Sequence, residues 1–233
     1  MKKTILLIMP LFVFFFSGHL CAQEPGKLTS RKIGENIATE NECYKNFRFT
    51  VGGGYAYGLG KLMKTGDKKL DKFSSDLRNG YNLDIEGQYF FKEHFGIALN
   101  GNFIKQSNTA SGIIDIPYIG SISNYKESNR LIYVGASFVL RYENEKWGGF
   151  YTSAGLGPIF YTNTAEINLT QLSVDKTAFG FYYSVTGEHR FNHNIGAGLK
   201  LAFTSGTIKM EGLDDRLSVS NLILTGFISF RTK

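Results

Sequence analysis

Several charged residues stand where their side chains could form ion pairs or carry protons. Asp84 and Glu86 are two positions apart, so both carboxylates would point to the same side of a β-strand. Glu188 and Arg190 repeat this spacing. The whole set contains four bases and three acids, which favours mutual ion pairs over a proton or ion path. Its members are Arg48, Asp84, Glu86, Arg141, Glu188, Arg190 and Lys200.

Histidines are the other candidates for chemistry. His94, His189 and His193 each lie at or next to a short polar segment between apolar stretches. An enzyme that modifies membrane lipids needs a histidine beside a serine and an acid or a metal, and no serine lies at a matching position. We interpret these histidines as turn and interface residues, and a lipid-modifying enzyme stays as an alternative. The sequence has no metal motif, phosphate loop or nucleophile elbow, so we predict no cofactor.

The elements that position these residues follow a period of two. In residues 47–58, apolar residues at odd positions alternate with Arg48, Thr50 and small residues. This alternation is typical of β-strands with two different faces. Eight such segments begin near Phe47, Gly80, Phe95, Leu131, Gly148, Ala178, Ile195 and Leu217.

The connections between these segments alternate in length. Three are short, at 92–94, 144–146 and 192–194, and the others are longer and polar, at about 59–78, 106–128, 163–176 and 208–216. Short and long connections therefore lie at opposite ends of the predicted strands. With an even number of strands, both ends of the strand array lie on the short-turn side.

The two faces of the strands indicate a lipid environment. The apolar faces carry no charge near their centres, as lipid-facing surfaces require, and the opposite faces are small or polar. The sequence therefore predicts an all-β fold, an eight-stranded antiparallel up-and-down transmembrane β-barrel. Its narrow interior would be filled by glycines, short side chains and the seven charged residues as an ion-pair network. A secreted lipocalin-like barrel with an apolar ligand cavity is the soluble alternative.

The N-terminal part of the chain differs from the rest. Residues 1–22 combine Lys2 and Lys3 with an apolar run and a small residue at Ala22, which predicts a cleaved secretory signal peptide. Residues 23–46 lack periodicity and are predicted to be a periplasmic leader segment. The barrel is predicted to span residues 47–233.

The charge pattern restricts the partners. The formal net charge is +6 and no polybasic tail or arginine-rich stripe occurs, so nucleic-acid binding has no support. The first long loop is locally basic and could contact lipopolysaccharide phosphates at the cell surface. The lysines concerned are Lys61, Lys64, Lys68, Lys69 and Lys72. Residues 111–125 are apolar for a loop, and could form an adhesive hairpin or fold over the barrel mouth.

The last segment carries the signature of a barrel-closing strand. Residues 221–230 alternate with outward apolar side chains and end on Phe230, similar to the signal that the barrel-assembly machinery reads. Over residues 47–233 the chain resembles the small bacterial outer-membrane β-barrel proteins, the OmpX-like group and the transmembrane domain of OmpA. This resemblance implies the outer membrane of a Gram-negative bacterium, contact with its lipids and lipopolysaccharide, and a monomer inserted by the assembly machinery. It implies a structural or surface-interaction role without an open pore and without catalysis.

Overall fold

A computed structural model describes the chain in eight stretches. These are residues 45–60, 67–110, 114–116, 120–122, 125–144, 148–167, 170–209 and 216–232. The predicted signal peptide (1–22) and nearly all of the predicted leader (23–46) lie outside the described residues.

The described residues form eleven strands and one helix. In chain order they are β1 (Phe47–Gly58), α1 (Lys68–Asp76), β2 (Asn79–Phe90), β3 (Phe95–Thr109), β4 (Ile114–Ile116), β5 (Gly120–Ile122), β6 (Tyr125–Asn144), β7 (Gly148–Ile167), β8 (Thr170–Arg190), β9 (Ile195–Lys209), β10 (Arg216–Ser218) and β11 (Asn221–Thr232). The one helix in the described part of the chain is not long and apolar enough to cross a membrane.

Eight of the strands close into a ring. Each pairs antiparallel with its neighbours in the order β1, β2, β3, β6, β7, β8, β9, β11, and β11 pairs again with β1. Phe47 of β1 lies opposite Thr232 of β11, so the two ends of the array meet at the end where the short turns lie. The prediction of an eight-stranded antiparallel up-and-down barrel is confirmed.

Side-chain exposure alternates along the barrel wall as the sequence predicts. Outward residues are among the most exposed in the molecule, with Phe138 at 75% and Phe179 at 70% relative exposure. Lys200, which points inward, is at 0%. Apolar side chains therefore cover the outside of the ring and polar groups lie inside, the reverse of a water-soluble protein.

Two of the predicted long loops are largely strand. β7 runs to Ile167 and β8 starts at Thr170, so the predicted loop at 163–176 is wrong. β6 likewise begins at Tyr125, inside the predicted loop at 106–128. These segments extend past the lipid-facing wall, where outward positions need no apolar residues. Lys126, Ser128 and Arg130 of β6 alternate with Tyr125, Glu127 and Asn129, so both faces are largely polar and the alternation that reveals a strand is weak.

The first long loop contains the helix α1. Asp67 caps its N-terminus by accepting a hydrogen bond from the backbone N–H of Lys69 at 2.7 Å. Phe73 is buried and its ring lies 5.2 Å from that of Tyr125, while Asn108 donates to the Phe73 backbone oxygen at 2.9 Å. The helix is therefore packed against β3 and β6 at the loop end of the barrel.

The outer half of the lumen, on the loop side, contains a cluster of buried aliphatic and aromatic side chains. We call this set the apolar layer; it comprises Ala56, Ile104, Leu131, Tyr133, Ile159, Tyr161, Ala178, Tyr182, Ala202, Ile208, Val219 and Ile223. At its inner boundary the rings of Tyr133 and Tyr182 stack with centroids 5.3 Å apart. The expectation of a small and polar interior is thus wrong for this half of the lumen.

Candidate functional site

The carboxylates of β2 meet a lysine from β9 across the lumen. Lys200 Nζ lies 2.6 Å from Asp84 Oδ1 and also contacts Glu86 Oε2. Asn102 donates to the second oxygen of Asp84 at 3.3 Å. All four residues are buried, so the two negative charges and the ammonium group compensate one another away from water.

Gln88 connects this group to a second ion pair. Its amide nitrogen donates to Glu86, and its oxygen accepts from Arg48 Nη1 at 2.9 Å. Arg48 also donates from Nε to Glu188 Oε2 at 2.7 Å. The Arg48 guanidinium lies 4.0 Å from the ring centroid of Tyr151, which adds a cation–π contact.

Arg231 and Glu143 extend the network toward the short-turn end. Arg231 contacts the other oxygen of Glu188 and donates to Tyr151 Oη at 2.6 Å, and its Nη1 lies 3.4 Å from Glu143 Oε1. Arg190 Nη2 lies 2.5 Å from Glu143 Oε2. We call the connected set the ionic layer; it comprises Arg48, Asp84, Glu86, Gln88, Glu143, Glu188, Arg190, Lys200 and Arg231.

Sequence reasoning did not include Arg231, Glu143 or Gln88 in this set. The signal was available, because each has the inward parity of its strand: Arg231 follows Phe227 and Ser229 at steps of two. Arg231 stands after the aromatic end of β11 and looks like a tail when read from the sequence alone. Its strand in fact continues to Thr232.

Arg141 has a different role from the other predicted lumen charges. Its guanidinium lies 4.0 Å from the Phe90 ring and donates to the backbone oxygens of Glu93 at 2.6 Å and Lys45 at 3.0 Å. Its Nη1 lies 4.0 Å from Glu143 Oε1. Arg141 therefore ties the β2–β3 turn and the segment before β1 to the inner rim of the barrel.

Two of the three predicted turn histidines contact neighbouring groups at the short-turn end of the barrel. His94 Nδ1 lies 3.2 Å from the backbone oxygen of Arg141, the ring of His189 packs edge-on against Phe191, and His193 is exposed. Within the described residues, no group of three or more His, Cys, Asp or Glu side chains could hold a metal ion.

The loop end carries the predicted surface lysines. Lys68, Lys69 and Lys72 are exposed on α1. Lys61 and Lys64 lie outside the described residues. The segment at 111–125 contains the short antiparallel pair β4–β5, with Ile114 opposite Ile122.

Four strands continue past the wall as a protruding sheet. We define it as residues 107–109 of β3, 125–130 of β6, 162–167 of β7 and 170–175 of β8. The β2–β3 ladder stops at Gly80 opposite Gln106, whereas β6–β7 and β7–β8 continue to Ile167. Tyr125 donates to Glu127 at 3.0 Å within this sheet, and burial together with that carboxylate raises the pKa of Tyr125.

The protruding sheet ends at β8. The β8–β9 ladder begins only at Gly180 opposite Gly206. Among the described residues, the segment Thr170–Asp175 has a strand partner on its β7 side alone. Leu172 and Val174 in this segment are exposed at 57% and 39%.

Comparison with known proteins gives a family match over most of the barrel. Residues 37–224 match the family described as the outer membrane protein beta-barrel domain. The chain matches no curated protein sequence.

Solved structures with a similar chain path share little sequence with this protein. Ail, the attachment invasion locus protein of Yersinia pestis, is 14% identical, with 80% of this chain and 99% of that chain covered and a TM-score of 0.49. Neisserial surface protein A is 11% identical, with 79% and 96% covered and a TM-score of 0.47. The outer membrane protease OmpT of Escherichia coli is 12% identical, with 80% and 96% covered and a TM-score of 0.44. These values are too low to carry a role from any of the three.

The family match covers more than half of the chain and coincides with the closed ring of amphipathic strands. The apolar outer face of that ring is the surface that a lipid bilayer requires. The chain therefore belongs to the outer membrane protein β-barrel domain family, and it is an outer-membrane protein of the Gram-negative type.

Proposed function

We propose that this barrel is a closed platform that presents the protruding sheet at the cell surface, where the edge of β8 binds an extended segment of another protein. The observation that carries the proposal is the segment Thr170–Asp175, whose described strand partner lies on one side only. A strand edge offers backbone N–H and C=O groups that an added strand can pair with.

The lengths of the strands support a surface role. β6, β7 and β8 have 20, 20 and 21 residues, whereas a transmembrane strand needs about 9–11. In this family the long loops face the cell exterior and the short turns face the periplasm. The additional residues therefore support a position of the β8 edge outside the membrane, within reach of other proteins.

A shortened hairpin tests the proposal without disturbing the wall. Replacing residues 164–173 by Asn-Gly would join Asn163 to Val174, which already face each other four pairs before Ile167 and Thr170. Opposite residues in an antiparallel ladder alternate between hydrogen-bonded and non-hydrogen-bonded pairs. Moving the turn by four pairs therefore keeps the same kind of pair next to it.

The probe is a set of peptides selected from a random library on the protein in nanodiscs. We expect the selected peptides to bind the shortened variant at least 10-fold more weakly, with unchanged heat-modifiable gel mobility. Equal binding to both proteins would exclude the β8 edge as the binding surface.

The filled lumen supports the proposal that the protein acts as a platform and not as a pore. The apolar layer and the ionic layer fill successive levels of the same interior, and Tyr133 and Tyr182 are both buried at their boundary. In planar bilayers we expect no steady conductance from the protein. The double variant Tyr133→Ala/Tyr182→Ala should admit water and ions and so conduct. Large stable currents from the unchanged protein would contradict a closed lumen.

A second candidate role is attachment to anionic lipopolysaccharide, since Lys68, Lys69 and Lys72 are exposed on one side of α1. Each basic residue near an anionic surface contributes about 1 kcal/mol, and salt screens this attraction. Changing the three lysines to glutamine should weaken retention on lipopolysaccharide at low salt and leave thermal stability unchanged. Equal retention across a salt series would remove this role.

Other expectations from the sequence also belong to this proposal. Insertion by the barrel-assembly machinery is supported by the outward apolar residues of β11, such as Leu222 and Phe230, exposed at 41% and 46%. We propose a monomer because the ring closes with partners from one chain. No catalytic step is assigned, because His94 contacts a backbone oxygen and His189 packs on an aromatic ring.

A further inference from the structure

A cavity of about 250 Å³ lies at the loop end of the lumen, next to the apolar layer. Leu131 and Val219 of that layer line the cavity, together with Leu77 at the end of α1. Most of the remaining lining consists of side chains that can form hydrogen bonds. Among them are Arg78, Gln106, Glu127, Asn129, Tyr161 and Ser220.

Contacts within the wall hold these polar groups in place. Tyr161 donates to Asn129 Oδ1 at 2.7 Å, and Gln106 donates to Asn221 Oδ1 at 3.2 Å. Ser220 donates to Ser205 at 3.1 Å. Groups already fixed in this way lose little conformational entropy when a ligand arrives.

Two opposite charges line the cavity without pairing. Arg78 donates to Tyr57 Oη at 3.3 Å and to the backbone oxygen of Gly60, which uses two of the five guanidinium N–H groups. Glu127 accepts from Tyr125 Oη at 3.0 Å and from Asn163 Nδ2 at 2.7 Å, and further acceptor positions remain on its oxygens. Within the described part of the chain, neither Arg78 nor Glu127 is in an ion pair.

We infer that this cavity binds a small zwitterion, a molecule of α-amino-acid size that carries one carboxylate and one ammonium group. Arg78 can bind the carboxylate through its remaining N–H groups, and Glu127 can bind the ammonium group. The cavity, at about 250 Å³, leaves room for a molecule of this size.

The charges distinguish this ligand from simpler ones. An anion alone would satisfy Arg78 but meet the Glu127 carboxylate, and an amine alone would have the opposite difficulty at Arg78. A neutral sugar would form hydrogen bonds but leave both charges uncompensated. The site lies at the barrel mouth and uses no residue of the β8 edge, so it is independent of the proposed function.

The binding test uses the full chain in nanodiscs and L-serine as the probe. The side-chain amide signals of Gln106, Asn129 and Asn221 are followed by NMR during titration, with ethanolamine, propionate and glucose as comparison ligands. We expect L-serine to shift these signals at a concentration at least 10-fold below that of each comparison ligand. Absence of any shift with L-serine, or equal shifts with propionate, ethanolamine or glucose, would overturn the inference.

Two substitutions test whether the charges of Arg78 and Glu127 bind the ligand. Glu127→Gln and Arg78→Gln should each weaken L-serine binding at least 10-fold, with matched controls Glu166→Gln and Arg130→Gln unchanged, since neither control residue lines the cavity. Arg78 also contacts Tyr57 and Gly60, so heat-modifiable gel mobility reports whether its variant is folded. If that variant does not fold, Glu127→Gln decides, and unchanged affinity in it would refute the inference.

Discussion

The apolar layer and the ionic layer fill one barrel with side chains of opposite character. The apolar layer includes Ile104, Ile159 and Ile223, each no more than 2% exposed, and depends mainly on complementary shape. The ionic layer includes Lys200, Arg48 and Glu188, which are as deeply buried and depend on specific partners.

The two layers differ in how much stability the protein loses when one side chain is removed. An apolar side chain that is cut short leaves a cavity, and the loss scales with the volume removed. A buried charge that is removed leaves its partner charged and desolvated, which costs more than the pair contributed. The ionic layer should therefore be the more sensitive half, although it adds less net stability.

The largest effect is expected from Lys200→Met. This change leaves Asp84 and Glu86 without their cation in a site that water does not reach, so we expect a loss of about 3–5 kcal/mol in the free energy of unfolding. Urea unfolding in phospholipid vesicles, followed by circular dichroism and gel mobility, measures it.

Removing the acids as well provides the control. In the Lys200→Met background, Asp84→Asn together with Glu86→Gln should restore most of the loss, because no unpaired charge remains. A loss in Lys200→Met that the added changes do not relieve would show that packing, rather than charge, explains the role of Lys200.

The second effect is expected in the apolar layer. Ile223 is fully buried, and Ile223→Ala should lower the free energy of unfolding by about 2–5 kcal/mol through lost contacts and a cavity. The same unfolding measurement at low and high salt should give the same loss. A strong salt dependence would show that charged groups, rather than lost apolar contacts, explain the effect of removing the Ile223 side chain.

The sequence predicted the ring of strands better than the contacts between the side chains inside it. Period-two alternation identifies the inward and outward faces of each strand, so the inward positions of Asp84, Glu188 and Lys200 follow directly. Which inward residues meet depends on the stagger between strands that are not neighbours, such as β2 and β9, and alternation within one strand contains no information about that stagger.

The two regions outside the wall were harder to predict for a different reason. The extensions of β6, β7 and β8 carry mostly polar residues on both faces, so they lack the strong apolar alternation of the barrel wall. Helix α1 has nine residues and one buried side chain, Phe73, which gives only a weak periodic signal among its lysines. The cavity between α1 and the barrel mouth unites residues far apart in the chain, as Arg78 and Ser218 show.

A third, smaller effect should show how the ionic layer tolerates the loss of a shared partner. Arg231→Gln removes one contact to Glu188, but Arg48 still pairs with that carboxylate, and Arg190 still pairs with Glu143. We expect a loss of about 1–3 kcal/mol, below that of Lys200→Met. A loss equal to that of Lys200→Met would mean that Arg231 and Arg48 act on Glu188 as one unit. The loss in the double variant Arg231→Gln/Arg48→Gln would then differ from the sum of the two single losses.

The smallest effect is expected where an ion pair lies outside both layers. Lys126 and Glu166 pair at 3.4 Å on the protruding sheet, with side chains 48% and 45% exposed. Water and salt screen this pair, so Glu166→Gln should change the free energy of unfolding by less than about 1 kcal/mol and have no effect at high salt. If this exposed variant lost as much stability as Lys200→Met, burial would not be what makes the ionic layer sensitive, and the contrast between the two layers would need another cause.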